Sequence, residues 1–172
     1  MLYALTKCDE DSWCSGLRDD NLTMTRESWH DGTYSHQWGT AAVAGAVWGL
    51  LGVHQTAPAF ATVTITPKIG NLTSISGKVP SMRGFITVSV PKSGAVDVKI
   101  PCGVAATLCL PRSTRDPVGA GYATATHRLV LDGEEVKAVD ATSGHLCAAE
   151  TVSCKAMGAM RSLRAVERER VE

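Results

Sequence analysis

Phe85 to Pro101 reads F-I-T-V-S-V-P-K-S-G-A-V-D-V-K-I-P. Ile86, Val88 and Val90 alternate with Thr87 and Ser89, and Val96, Val98 and Ile100 alternate with Asp97 and Lys99. A period of two puts one set of side chains on one face of an extended chain, and β-branched residues suit that backbone. Each run ends on a proline, which has no N–H to give to a sheet ladder. The same pattern continues on both sides. Phe60–Thr66 (FATVTIT) stops at Pro67, and Ala105–Leu110 (AATLCL) stops at Pro111. Arg128–Lys137 (RLVLDGEEVK) has the form of a hairpin turning at Asp132-Gly133. Short strands with regular Pro or Gly punctuation predict an antiparallel β-sandwich or barrel. Residues 112–121 read as the longest loop.

Upstream, the period changes. Val43, Val47, Leu50 and Leu51 recur at i, i+4, i+7 and i+8, which predicts a helix from Ser35 to Val53. Its other faces carry Ala41, Ala42, Ala44, Gly45 and Ala46. Side chains this small allow close approach of a second backbone, so burial on more than one side is expected, with Trp48 in the core. Gly52 and Pro58 are its stop signals. A shorter helix is expected over residues 1–8. The chain is therefore read as mainly β with an α-helical N-terminal part. Residues 1–54 form the helical segment, 55–156 the β-sandwich, and 157–172 a charged tail that is either a solvated helix or disordered. Some fifty residues with two helices bury too little surface to stand alone, so the helical segment needs the β half or further sequence to pack against.

Composition narrows the functional classes. Seventeen Lys+Arg balance seventeen Asp+Glu in 172 residues. Nucleic-acid binding, which requires a basic excess, is not expected. The longest apolar run, Thr40–Val53, has 14 residues, short of the roughly 20 that span a bilayer, so no membrane partner is expected. Met1 to Trp13 lacks the features of a secretory leader. The cysteines are Cys8, Cys14, Cys102, Cys109, Cys147 and Cys154, none in a Cys-x-x-Cys pair. Zinc and other cofactors are not expected. Free buried thiols are the simplest reading of these cysteines. Disulfides together with the sequons at Asn21 and Asn71 would instead suit an oxidising compartment.

The chemistry-bearing stretch is Thr23–Thr40, T-M-T-R-E-S-W-H-D-G-T-Y-S-H-Q-W-G-T. It gathers Glu27, Trp29, His30, Asp31, Tyr34, His36 and Trp38 into a turn-rich segment before the helix. Indole faces stack on the apolar face of a pyranose, imidazole and carboxylate bind hydroxyls, and a carboxylate can activate water. His30, His54, His127 and His145 show no ligand pattern.

An ordered string of motifs resembles the α-L-rhamnosidases of glycoside hydrolase family 78. Its elements are Ser12-Trp13, Thr23-Met24-Thr25-Arg26-Glu27-Ser28-Trp29, Ser35-His36-Gln37-Trp38-Gly39, the Ala-rich helix, Leu51 to Phe60, Val63 to Pro67, and Gly77-Lys78-Val79-Pro80-Ser81-Met82-Arg83-Gly84. The resemblance runs from about residue 10 to 100 and more weakly to about 148. It implies the end of an (α/α)6 barrel, with about one helical hairpin present, followed by the C-terminal β-sandwich. It also implies that Glu27 is the general base of an inverting hydrolysis, that His36 binds sugar hydroxyls, and that Trp29 and Trp38 wall the pocket. The implied ligand is a rhamnose-containing glycoside or polysaccharide.

Two departures qualify the implication. Arg26 stands where the family usually has Trp, and a cation beside a carboxylate weakens it as a base. The upstream helical hairpins that carry the family's general acid are not in these 172 residues. The expectation is thus a chain inactive by itself, whose partners are the missing part of a catalytic barrel or a second copy. The other reading is a non-catalytic carbohydrate-binding or structural β-sandwich module.

Overall fold

Among the described residues, eleven strands follow a short helical segment. In chain order they are β1 (Val53–Gln55), β2 (Thr62–Ile65), β3 (Ile75–Ser81), β4 (Gly84–Val90), β5 (Val96–Pro101), β6 (Ala105–Pro111), β7 (His127–Leu131), β8 (Glu134–Val136), β9 (Ala138–Asp140), β10 (His145–Ala148) and β11 (Met160–Glu167). The computed structural model describes residues 7–19, 21–29, 32–70, 72–91, 96–111, 127–131, 134–136, 138–140, 145–148 and 160–167. The chain divides into two units, residues 1–50 and 51–172.

The second unit is a β-sandwich. One sheet has the order β1-β2-β6-β10-β9 and the other β3-β4-β5-β11-β7-β8. Ile86, Val88 and Val90 on β4, and Val96, Val98 and Ile100 on β5, are all buried, and Val88 lies opposite Val98 in the register. Val63 and Ile65 on β2 and Ala106, Leu108 and Leu110 on β6 are buried likewise. Alternation read from sequence thus becomes two inner faces that share one core. All pairs are antiparallel except β2 and β6, which run parallel, with Val63 beside Ala106 and Ile65 beside Leu108. Parallel neighbours need a long crossover. Here the chain between them builds β3, β4 and β5 of the opposite sheet.

Several elements had weaker sequence signals. β3 contains Pro80 and is an edge strand, where a missing N–H costs no ladder bond. The expected charged tail is corrected by β11, which lies between β5 and β7, with Leu163 opposite both Val98 and Leu131. Met160 to Glu167 shows no apolar alternation, and the pairing on both sides is what makes it a strand. The expected hairpin at 128–137 is β7 and β8. The expected helix over 1–8 and loop over 112–121 lie largely outside the described residues.

The join between the units uses a glycine for steric reasons. Gly52 has φ +68°, and a Cβ there would strike the Thr66 carbonyl. Its own carbonyl accepts from Thr66 N at 2.9 Å. Ala59 and Phe60 also have positive φ, 56° and 58°. A left-handed backbone costs an L-residue about 1–2 kcal/mol, so this turn is held against local preference.

Among the described residues the cysteines are not free thiols. Cys109 and Cys147 are joined, and they sit directly opposite each other on β6 and β10. Cys8 is joined to Cys14, and Cys102 is also disulfide-bonded. Cross-strand opposition brings two Cβ atoms close enough for a bond, a placement that sequence spacing does not encode.

Candidate functional site

The first unit opens with α1 (Trp13–Arg18), a helix of six residues. So short a helix is unstable alone, and its ends are tied down. The Ser12 hydroxyl accepts from Ser15 N at 3.1 Å and donates to the Asp9 carbonyl at 2.7 Å. The Cys8–Cys14 disulfide closes the preceding loop. At the other end Arg18 Nε and Nη2 donate to the two carboxylate oxygens of Asp19, at 2.5 and 2.7 Å. That hydrogen bonding holds the Asp19 carboxyl below its ordinary range.

The expected uniform helix from Ser35 to Val53 is instead a 3-10 turn (Gln37–Thr40), α2 (Ala41–Gly45) and a π-helical turn (Ala46–Leu50). Burial on several sides does not occur. Val43 is 64% exposed and Trp48, expected in the core, is 59% exposed. The unit is only fifty residues long and has little chain with which to surround this helix.

Between α1 and the 3-10 turn, residues 25–35 fold back on themselves. Glu27 N donates to the Thr33 carbonyl at 2.9 Å, Ser35 N donates to the Thr25 carbonyl at 2.7 Å, and Arg26 and Tyr34 form a bridge. This loop fixes the Glu27 carboxylate. Its Oε2 accepts from Thr33 N at 3.0 Å and from the Thr33 hydroxyl at 3.3 Å, and lies 3.7 Å from His36 Nε2. Thr33 Oγ1 and His36 Nε2 are 2.5 Å apart. Gly32 makes the arrangement possible: its φ is +95°, and a Cβ would sit 2.8 Å from Glu27 Oε2.

The indoles complete the site. Trp38 Nε1 donates to the Glu27 carbonyl at 2.7 Å, and its ring lies 4.3 Å from that of His36. Trp29 meets Trp13 edge to face, centroids 5.2 Å apart and planes at 80°. Arg26, expected as a cation acting on Glu27, donates from Nη1 to the Trp29 carbonyl at 2.8 Å. An open cavity of about 540 Å³ is lined by Glu27, Trp29 and Trp38 together with Trp13, Leu17, Leu22 and Met24. Among the described residues lining it, Glu27 is the only carboxylate. The Glu27 side chain is 45% exposed and so remains accessible to a hydroxyl or to water.

Glu27, His36, Trp29 and Trp38 are therefore neighbours in space. The sequence reading assigned no role to Thr33, which joins Glu27 to His36, or to Trp13, which packs on Trp29. Asp31-Gly32 between two polar runs was the available signal for a turn that would bring Thr33 back to Glu27. Nothing local pointed from Trp13 to Trp29. His30 and Asp31 lie outside the described residues. Among the described residues no group of three or more His, Cys, Asp or Glu is gathered as a metal site, and no helix is long and apolar enough to cross a membrane.

The described residues thus form a two-sheet sandwich, preceded in the chain by a short helical segment that carries a carboxylate–imidazole–indole cluster. Residues 52–125 match the family described as bacterial alpha-L-rhamnosidase C-terminal domain. The structure is similar to that of an alpha-L-rhamnosidase from Dictyoglumus thermophilum, with a TM-score of 0.66 at 11% sequence identity. The match covers 95% of this chain and 18% of that one. At this identity the likeness is one of fold, and the chain spans less than a fifth of that relative. No curated protein sequence matches the chain. The expected resemblance to the α-L-rhamnosidases is borne out for the C-terminal domain.

Proposed function

We propose that the chain is the terminal part of an α-L-rhamnosidase-type glycosidase and carries one wall of a rhamnoside-binding site. The observation that carries this is the fixed Glu27 carboxylate, bonded to Thr33 and beside His36, on a cavity shared with Trp29 and Trp38. In the proposed roles Trp29 and Trp38 present apolar ring faces to the sugar, His36 hydrogen-bonds a hydroxyl, and Glu27 takes a proton from water as that water attacks the anomeric carbon. Inversion also needs a general acid roughly 6.5–9.5 Å from the base, with the attacking water accommodated between them. With Glu27 the only carboxylate among the described lining residues, the acid comes from elsewhere in a catalytic barrel. That barrel is the proposed partner, as further polypeptide or as a separate chain.

The expected outcome for the 172-residue chain is no release of aryl alcohol from an aryl α-L-rhamnoside, together with a change in tryptophan emission on titration with rhamnose. Turnover that disappears in Glu27→Gln would overturn the expected inactivity. Absence of any emission change at millimolar rhamnose would count against the site itself. The solitary lining carboxylate also favours a second reading, a non-catalytic carbohydrate-binding module. Rhamnose binding that survives Glu27→Gln, in a chain that gains no activity beside a barrel lacking this segment, would select it.

A further inference from the structure

Trp13 joins three parts of the first unit. It begins α1, its indole N–H donates to the Gly39 carbonyl at 2.8 Å, and its ring packs edge to face on Trp29. Gly39 follows Trp38 directly, so a shift of Trp13 would be felt at both indoles assigned to the sugar. The rest of α1 can do little to resist such a shift. The helix has six residues, its Leu17 is 67% exposed, and its buried residues are Ser15 and Gly16. Its start is fixed by the Ser12 cap, by the Ser15 hydroxyl donating to the Glu10 carbonyl at 3.1 Å and by the Cys14–Cys8 bond, and the last is the one covalent tie among them.

The two described disulfide pairs differ in access. Cys8 is exposed and Cys14 half-buried, whereas Cys109 is 9% exposed and Cys147 half-buried, both within a sheet, so the difference lies in the exposed Cys8 sulfur. A thiolate reaches an exposed sulfur more readily than one inside a sheet. We propose that Cys8–Cys14 is a redox-sensitive latch and that Trp13 is the positioning residue through which it sets Trp29. The role of this latch in sugar binding rests on the glycoside reading of the cavity; its control of the indole pair does not.

The step is thiol–disulfide exchange with a dithiol reductant. One thiolate of the reductant attacks a sulfur of the pair, the Cys8–Cys14 bond breaks and a mixed disulfide forms. The second thiol of the reductant then displaces the remaining protein sulfur. Two electrons pass to the protein, Cys8 and Cys14 end as thiols carrying the two protons, and the reductant leaves as its disulfide.

The test uses the full chain. Two indoles held close and non-parallel give an exciton couplet in far-ultraviolet circular dichroism. The couplet is expected in the oxidised chain, lost in Trp13→Phe, and lost in the double variant Cys8→Ser, Cys14→Ser, with amide protection of β4 and β5 retained. A couplet that persists in either variant overturns the proposal. In a second arm the unaltered chain is titrated with a dithiol and alkylated. Labelling of Cys8 and Cys14 before Cys109 and Cys147, with simultaneous loss of the couplet, supports the latch; a couplet that outlasts labelling of Cys8 and Cys14 overturns it. Rhamnose titration separates the two readings. A wild-type emission response that moves to higher sugar concentration in the cysteine variant supports the link to binding. No response in any form, with the couplet behaving as expected, removes the glycoside reading and leaves the latch standing.

Discussion

The two units solve the burial problem differently. In the second unit Ile65, Ile86, Ile100, Leu108 and Leu110 are essentially inaccessible, and two sheets close over one core. In the first unit Leu50 is the one buried apolar side chain among the described residues, while Leu17, Met24, Trp38, Val43 and Trp48 are each more than half exposed. The polar side is reversed. The fixed carboxylate, the imidazole and the clustered indoles all lie in the first unit. Among the described residues the buried core is concentrated in the second unit, and the candidate chemistry sits on a surface with little core beneath it. Of these, Leu17, Met24 and Trp38 line one open cavity, and contiguous apolar exposure marks an interaction surface. That supports the proposed need for further barrel structure around residues 1–50.

The contrast can be broken by mutation. Ile86→Ala removes a fully buried side chain from the centre of the second unit. It should cost about 2–5 kcal/mol of unfolding free energy in urea, since lost transfer energy and a new cavity add. A loss below about 1 kcal/mol would mean that the core is not close-packed there. Ala59→Gly tests the strained turn between β1 and β2. Relief of the φ +56° backbone, partly offset by the greater freedom of glycine when unfolded, should stabilise the chain by about 0.5–1 kcal/mol. Destabilisation would show that the Ala59 methyl makes packing contacts worth more than the strain. Trp48→Ser should have the smallest effect. With Trp48 59% exposed, stability should change by no more than about 0.5 kcal/mol, and self-association on sizing should fall. A loss above about 2 kcal/mol would place Trp48 in a packed environment and erase the difference between the units.

Much of the β unit was legible because its signal is local. Alternation at Ile86–Val90 and Val96–Ile100, and prolines at strand ends, follow from strand geometry alone. β11 was not legible: its two arginines and glutamate resemble a solvated tail, and only pairing with β5 and β7 on either side makes it a strand. Trp48 failed for the opposite reason. Its helical spacing resembles a core position, but burial requires a neighbour, and fifty residues do not supply one. At the site, residue types within Thr23–Thr40 marked Glu27, Trp29, His36 and Trp38 because binding chemistry is carried by side-chain identity. Thr33 and Trp13 were missed because their importance lies in what they touch.

The sequence by itself determined the strand alternation, the change of period near the unit boundary, and the order of motifs that resembles the α-L-rhamnosidases. These depend on neighbours along the chain. Tertiary structure alone decided the parallel pairing of β2 with β6, the union of Cys109 with Cys147, and the meeting of Trp13 with Trp29. Each of these joins distant residues, and which distant residues meet is set by the packing of the whole unit rather than by local preference.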